Sequence, residues 1–260
     1  FVDSRPPEAE VRAVQTVIEQ VRRHGTRAHI LHVSSALALE PIAAAGQGYS
    51  TPVRASWTED PATTATISWD TPAESRGEVR YGLTTNYTQI ARDGGGLRRH
   101  AIVLRGLAPG TRYFYEAASA GFAQRASFMT APAAGQPLHF AVHGDLQGGV
   151  NVAGSQGVSG QIVLEDPQWV VQIGDLSDEA YLGAGFHTWT NFFQICSNEL
   201  ARTVFMPILG NHEDPGSADD LLLQAESLFH RLFALPEPSP GSATYAYTAG
   251  NIRFIALNTE

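Results

Sequence analysis

One cysteine, Cys196, stands in a chain of 260 residues. A single thiol excludes an intrachain disulfide, so the fold must rest on packed cores rather than covalent staples. Cys196 sits in an apolar, helix-like segment, where a buried and inert thiol is the expectation. No apolar run approaches the ~18 residues of a membrane span. Charge is scarce, at 17%, and the formal net charge is −9, which argues against a broad nucleic-acid-binding face. The first residue is Phe1, and no signal peptide precedes it, so the chain reads as a processed product or a fragment. The abundant residues point elsewhere. Hydrophobic residues make up 43%, with 25 glycines and 15 prolines, which favours a loop-rich, β-containing globular protein over a helical bundle or a disordered one. The length suits one large domain or two ordinary ones.

Residues 1–47 form a first unit. Val11, Val14, Ile18 and Val21 recur on one helix face. Glu8 and Glu10 lie in its first turn and Arg22, Arg23 and His24 in its last, as the helix dipole favours, with Gly25 as the stop. Residues 27–33 (RAHILHV) read as a strand and residues 35–45 as a second helix, which completes an αβα segment. The stretch from Ser4 to Leu39 resembles the dihydroorotase–allantoinase branch of the cyclic amidohydrolases, and His32 falls on a metal-ligand position of that family. A single βα unit cannot close an eight-stranded barrel, so the segment is expected to pack against the rest of the chain rather than work as such an enzyme.

After the linker GQGYSTP the hydrophobic period changes to two. Val53–Trp57, Thr63–Trp69, Gly77–Tyr81, His100–Leu104, Arg112–Ala118 and Ala126–Thr130 read as short strands at the spacing of a β-sandwich. Trp57 and Trp69 are expected in its core. Asp93-Gly94-Gly95-Gly96 reads as a flexible hairpin tip, not a phosphate cradle, because no helix start comes after it.

From Leu138 onward three apolar runs each end in a polar cluster. LHFAVHGDLQ ends in Gly144-Asp145-Leu146-Gln147, WVVQIGDLSD in Gly174-Asp175, and VFMPILGNHED in Gly210-Asn211-His212-Glu213. Runs of this kind between turn signals read as buried strands. Helices expected near Val158–Leu164 and Phe186–Leu200 separate them, so the strands should pair in parallel. A further helix is expected over Leu221–Leu235, and a hairpin turns at Gly250-Asn251. In such sheets, ligands sit beyond the carboxyl ends of the strands. Two carboxylates and a carboxamide converging there are hard oxygen donors for Mg, Mn, Zn or Fe. The two carboxylates would repel one another without a cation between them. The preceding glycines would leave room for metal and solvent, or permit an unusual backbone angle.

The ordered set GD, GD and GNHE resembles the calcineurin-like metallophosphoesterases. The region around Leu107-Ala108-Pro109-Gly110-Thr111-Arg112-Tyr113 resembles the tyrosine corner of fibronectin type III domains. Taken together, residues from Tyr49 on resemble purple acid phosphatases, with an N-terminal fibronectin-like domain. The resemblance implies a multi-domain fold: a sandwich at 48–133, then an α/β unit at 134–260 that covers only the first half of the family's αββα sandwich. It also implies two divalent metals (Mn, Zn, Fe or Mg), with Asp145 on one, Asp175 bridging both and Asn211 on the second. His212 would stabilise the transition state or protonate the leaving oxygen of a small phosphorylated substrate. Secreted or periplasmic localisation is what such relatives favour.

The chain departs from that pattern in three places. Purple acid phosphatases carry a tyrosine three residues after the second Asp, where this chain has Asp178, so a colourless enzyme using divalent metals is expected. Tyr181 has no spacing that puts it on the metal. Asp178 and Glu213 are candidates for supporting positions, and Gln147 could offer a carbonyl oxygen or hold a bridging water. The family's later His and GHxH motifs have no counterpart, and His139, His143, His187 and His230 lack the context to replace them. Three readings stay open: a phosphoesterase of acid phosphatase type, a non-catalytic binding module with a vestigial metal site, and an amidohydrolase.

Overall fold

The computed structural model describes residues 11–18, 51–147, 152–177, 185–213, 229, 232–236 and 244–257, with one further limit at residues 185–188, where only the backbone is described. Residues 11–18 are helical (α1), and Val14, on the predicted apolar face, is buried. The predicted strand at 27–33 and its following helix, His32 among them, lie outside the described residues, as do Asp178, Tyr181 and most of Leu221–Leu235.

Seven strands build the sandwich: β1 Arg54–Ser56, β2 Thr64–Ser75, β3 Glu78–Gly82, β4 Gln89–Arg92, β5 Leu97–Arg105, β6 Arg112–Ser119 and β7 Phe122–Met129. The alternation is plain in β6, where Tyr113, Tyr115 and Ala117 point inward while Phe114 and Glu116 are only half-buried. The tyrosine corner forms as expected: the Ala108 amide donates to the Tyr113 hydroxyl at 2.9 Å. Trp57 and Trp69 are fully buried. Strand β4 has no clear counterpart in the sequence pattern, because its side chains are mostly exposed and carry no alternation. It pairs with β3. Asp93–Gly96 is therefore not a hairpin tip but the crossing from one sheet to the other, since β5 pairs with β2. Asp93 holds this crossing. Its carboxylate accepts the amides of Gly77 and Gly95 and lies 2.6 Å from His100 Nδ1.

The second part contributes β8 Phe140–His143, α2 Val152–Glu165, β9 Trp169–Ile173, α3 Gly185–Arg202 and β10 Val204–Ile208. Helix α2 begins earlier than the predicted Val158. Strands β8, β9 and β10 pair in parallel and in order, so that Phe140, Trp169 and Val204 share one row. A single sheet runs through both parts, in the order β5-β2-β1-β10-β9-β8, joined where Ala55 of β1 meets Val204 of β10. One face of β9 and β10 (Trp169, Val171, Val204, Met206) packs into the core shared with the sandwich. The other (Val170, Phe205) packs with Phe192, Cys196 and Leu200 of α3. Cys196 is fully buried, and burial pushes its thiol well up, as an inert core residue requires.

Strands β11 Tyr245–Ala249 and β12 Ile252–Ala256 form the expected hairpin. It packs over the base of the parallel strands. Phe254 meets Trp169 and Phe140 edge-on, and the Tyr245 hydroxyl donates to the Pro207 carbonyl at 2.7 Å. The sandwich is tied to α3 by the buried Tyr115 hydroxyl, which donates to the Ala201 carbonyl at 2.7 Å. A buried pair, Arg54 and Asp70 at 2.9 Å, adds to that junction, with the guanidinium over the Phe193 ring. Among the described residues no helix is long and apolar enough to cross a membrane.

Candidate metal centre

The in-register parallel pairing brings the three polar clusters to one edge, because each lies just past the end of its strand. Backbone contacts then stitch the loops together. The Asp145 amide donates to the Gly174 carbonyl at 3.3 Å, and the Gln147 amide donates to the Asp175 carbonyl at 2.9 Å. Asp145, Gln147 and Asp175 have positive φ values of 53°, 39° and 54°. Such a conformation costs a non-glycine residue of order 1 kcal/mol or more, and three within one loop cluster mark a site held in shape by its surroundings.

Of the two tasks expected of the glycines, the unusual backbone angle is seen at Gly174, while room for metal and solvent is not what they leave. A Cβ on Gly210 would lie 2.2 Å from the Asp175 amide nitrogen and 2.4 Å from Asp175 Oδ1. One on Gly174 would lie 2.8 Å from Gly210 Cα, and one on Gly144 would lie 2.8 Å from Ile173 Cγ1. The space they leave is filled by neighbouring protein atoms rather than kept for solvent. Gly174 in addition takes φ 81°, which only glycine adopts without cost.

Glu213 is the buried keystone of the cluster, 1% exposed. Its Oε2 accepts the amides of Asp175 and Gly210, each at 3.0 Å, and Oε1 accepts that of Ser177 at 2.8 Å. Burial pushes its carboxyl up to about 8, with the nearby Asp175 charge adding and the three amides opposing. The sequence marks Glu213 only as a supporting residue of the GNHE motif. Its span across two loops follows from the strand pairing alone.

Asp145 and Asn211 are exposed, and Asp175 is mostly buried. The His212 amide donates to Asp175 Oδ1 at 3.1 Å, and the His212 ring Nε2 lies 4.0 Å from Asp175 Oδ2. Gln147 Nε2 is 3.1 Å from the same ring nitrogen, so the amide donates and the imidazole accepts. Gln147 therefore holds the histidine ring in place, a contact that spacing could not reveal. His143, two residues before Asp145, points away from the cluster, with its Nε2 2.9 Å from Glu199 Oε1 of α3, both side chains buried. His139 is exposed at the base of β8. Among the described residues no group of three or more His, Cys, Asp or Glu side chains is placed to hold a metal ion. The cluster supplies two carboxylates and the Asn211 carboxamide, a set of hard oxygen donors that fits a divalent cation in kind though not in number.

Residues 50–130 match the family described as the purple acid phosphatase N-terminal domain. No curated protein sequence matches the chain. Among solved structures, the fold is similar to that of purple acid phosphatase PPD1 from yellow lupin (Lupinus luteus) seeds, with TM-score 0.62 and 17% identity over 80% of this chain and 45% of that one. It is also similar to the structure of PhoD, with TM-score 0.61 and 12% identity over 78% of this chain and 50% of that one. The chain thus spans about half the length of either structure. Its fold is purple acid phosphatase-like, with that family's N-terminal domain at its sandwich.

Proposed function

We propose that the chain carries half of the site of a metal-dependent phosphoesterase that hydrolyses phosphate monoesters or diesters. In this reading residues 48–133 are the fibronectin-like sandwich and 134–260 the first half of the catalytic unit. The observation that supports it is that Asp145, Asp175 and Asn211-His212 follow the carboxyl ends of three adjacent parallel strands, with Asp145 and Asp175 at positive φ and Glu213 bridging the second and third loops. Asp145 and Asn211 would each hold one divalent ion, and Asp175 would lie between the two. When bound, such ions neutralise phosphoryl oxygens and make a nearby water more acidic.

The chain's own residues would do the rest. Asp175 has one oxygen fixed by the His212 amide, and the other lies 4.0 Å from the His212 ring nitrogen. His212 is half-buried and steadied by Gln147, so its imidazole would face a bound substrate in one orientation and serve the developing charge or the leaving oxygen. Glu213 touches no substrate. It holds the second and third loops at fixed separation.

Hydrolysis of an aryl phosphate with added Mn²⁺ or Zn²⁺ tests this. Activity that disappears in both Asp175→Ala and Asn211→Ala supports the reading. Rates that neither substitution changes would sink it. The second reading, a binding module with a vestigial metal site, draws on the small number of ligands among the described residues. It is favoured if calorimetry detects no Mn²⁺ binding to the wild-type chain and no hydrolysis occurs.

A further inference from the structure

The outward faces of β3, β6 and β7 and the carboxyl end of α3 border a groove of ≈ 610 Å³ on the sandwich, remote in the fold from the strand-end cluster. Arg80, Arg125 and Arg202 line it, with Glu116 the one carboxylate among its lining residues. Glu78, paired with Arg80 and Arg92 beside the groove, adds a second carboxylate, so Arg80, Arg92, Arg125 and Arg202 against Glu78 and Glu116 leave a local positive excess on a chain whose net charge is −9. All 17 basic residues of the chain are arginines, so each cation here carries a planar fork of donors.

The groove is also built. Arg80 Nε donates to Glu78 Oε1 at 2.6 Å, and Arg125 Nε donates to Glu116 Oε2. In both pairs the carboxylate takes the inner nitrogen, Nε. Arg202 sits in the last turn of α3, which packs against β7. No ion pair found among the described residues involves it. One wall carries Tyr87, whose φ of 40° is a left-handed conformation on a bulky aromatic residue, and whose hydroxyl donates to the Tyr115 carbonyl at 3.4 Å. Phe114 adds a flat apolar surface.

We infer that this groove is a binding site for a small phosphorylated compound bearing a planar ring. Guanidinium forks match phosphoryl oxygens in pairs, and the two aromatic side chains suit a ring. The inference is independent of hydrolysis at the strand ends.

The test is calorimetric titration of phenyl phosphate into the full chain in metal-free buffer, with arginine side-chain Nε–H resonances followed by NMR. Saturable binding is expected, weakened about tenfold or more by Arg202→Ala and by Arg125→Gln, as loss of a charged hydrogen bond implies. Asp175→Ala should leave it unchanged. Inorganic phosphate should bind several-fold more weakly than phenyl phosphate, and Phe114→Ala should narrow that gap. Thermal unfolding of each variant separates lost binding from lost fold, and Arg125→Gln changes a side chain 76% exposed, where folding is least at risk. Wild-type affinity in both arginine variants, loss of binding in Asp175→Ala, or equal binding of phthalate would overturn the assignment.

Discussion

The Glu213 carboxylate accepts the backbone amide of Asp175 at 3.0 Å, across the gap between the second and third loops of the candidate site. The same group accepts the amides of Ser177 and Gly210. A motif residue that looks from sequence like an adjunct of the histidine beside it is in fact the bond that keeps two strand ends together.

Glu213→Ala should therefore leave three backbone amides without an acceptor, two of them buried and that of Gly210 half-buried. Each unsatisfied buried group costs about 1–3 kcal/mol before relaxation or water entry. We expect a loss of several degrees in Tm by calorimetry and weaker Mn²⁺ binding. Glu213→Gln, which keeps the shape but turns a donor toward one amide, should fall between. An unchanged Tm in the alanine variant would show that water replaces the carboxylate without penalty.

Stability of the metal-free chain should also respond to pH through Glu213. Its folded pKa, about 8, lies above the usual carboxylate value. The folded state therefore binds the proton more tightly than the unfolded one. The stabilisation is fully present below the unfolded pKa and is lost as pH rises through about 8. Tm should fall between pH 5 and pH 9, and Glu213→Gln should flatten that slope. A slope identical in the two proteins would place the dependence elsewhere.

The Asp93–His100 contact predicts the opposite response at acid pH. Burial raises the Asp93 carboxyl, but the hydrogen bond to His100 and the amides of Gly77 and Gly95 outweigh it, and the net shift is downward. The stabilisation is present above the ordinary carboxylate pKa and is lost as pH falls through the lowered one. His100→Ala also removes the ring stacked on Trp69 at 4.7 Å, leaving a cavity in the sandwich. A loss of about 2–4 kcal/mol in denaturant unfolding is expected, by analogy with large-to-small core substitutions.

Gly210→Ala should be more damaging than an alanine at most glycines. Its methyl would meet backbone nitrogen and the Asp175 carboxylate, neither able to yield without moving the site. Mn²⁺ affinity should drop sharply, with Tm lowered as well. Gly94→Ala, where a methyl meets nothing within 4 Å, is the control and should change neither.

Much of this architecture is legible in the chain because burial imposes a period. The continuous run WVVQI forms a strand covered on both faces, and the alternation RYFYEA a sandwich strand with Tyr113 and Tyr115 inside. Gly250-Asn251 turns the final hairpin where its composition indicates. The unpatterned strand β4 leaves no such mark, because an exposed edge needs no alternation. The crossing at Asp93 reads as a tip because which sheet a strand joins is a matter of partners, and local composition carries no record of partners.

The strand-end residues divide along the same line. That Asp145, Asp175 and Asn211 end successive strands follows from hydrophobic runs and turn residues, which act over a few neighbours and can be read locally. That Glu213 grips Asp175, that Gln147 steadies His212, and that His143 turns inward to Glu199 instead of joining them depends on parallel register and on the placement of α3. Hydrogen bonds between residues far apart in the chain form only once packing sets their distance and direction. The glycines join the two levels: the chain supplies residues without a Cβ, and the close approach of three loops explains why none can be present.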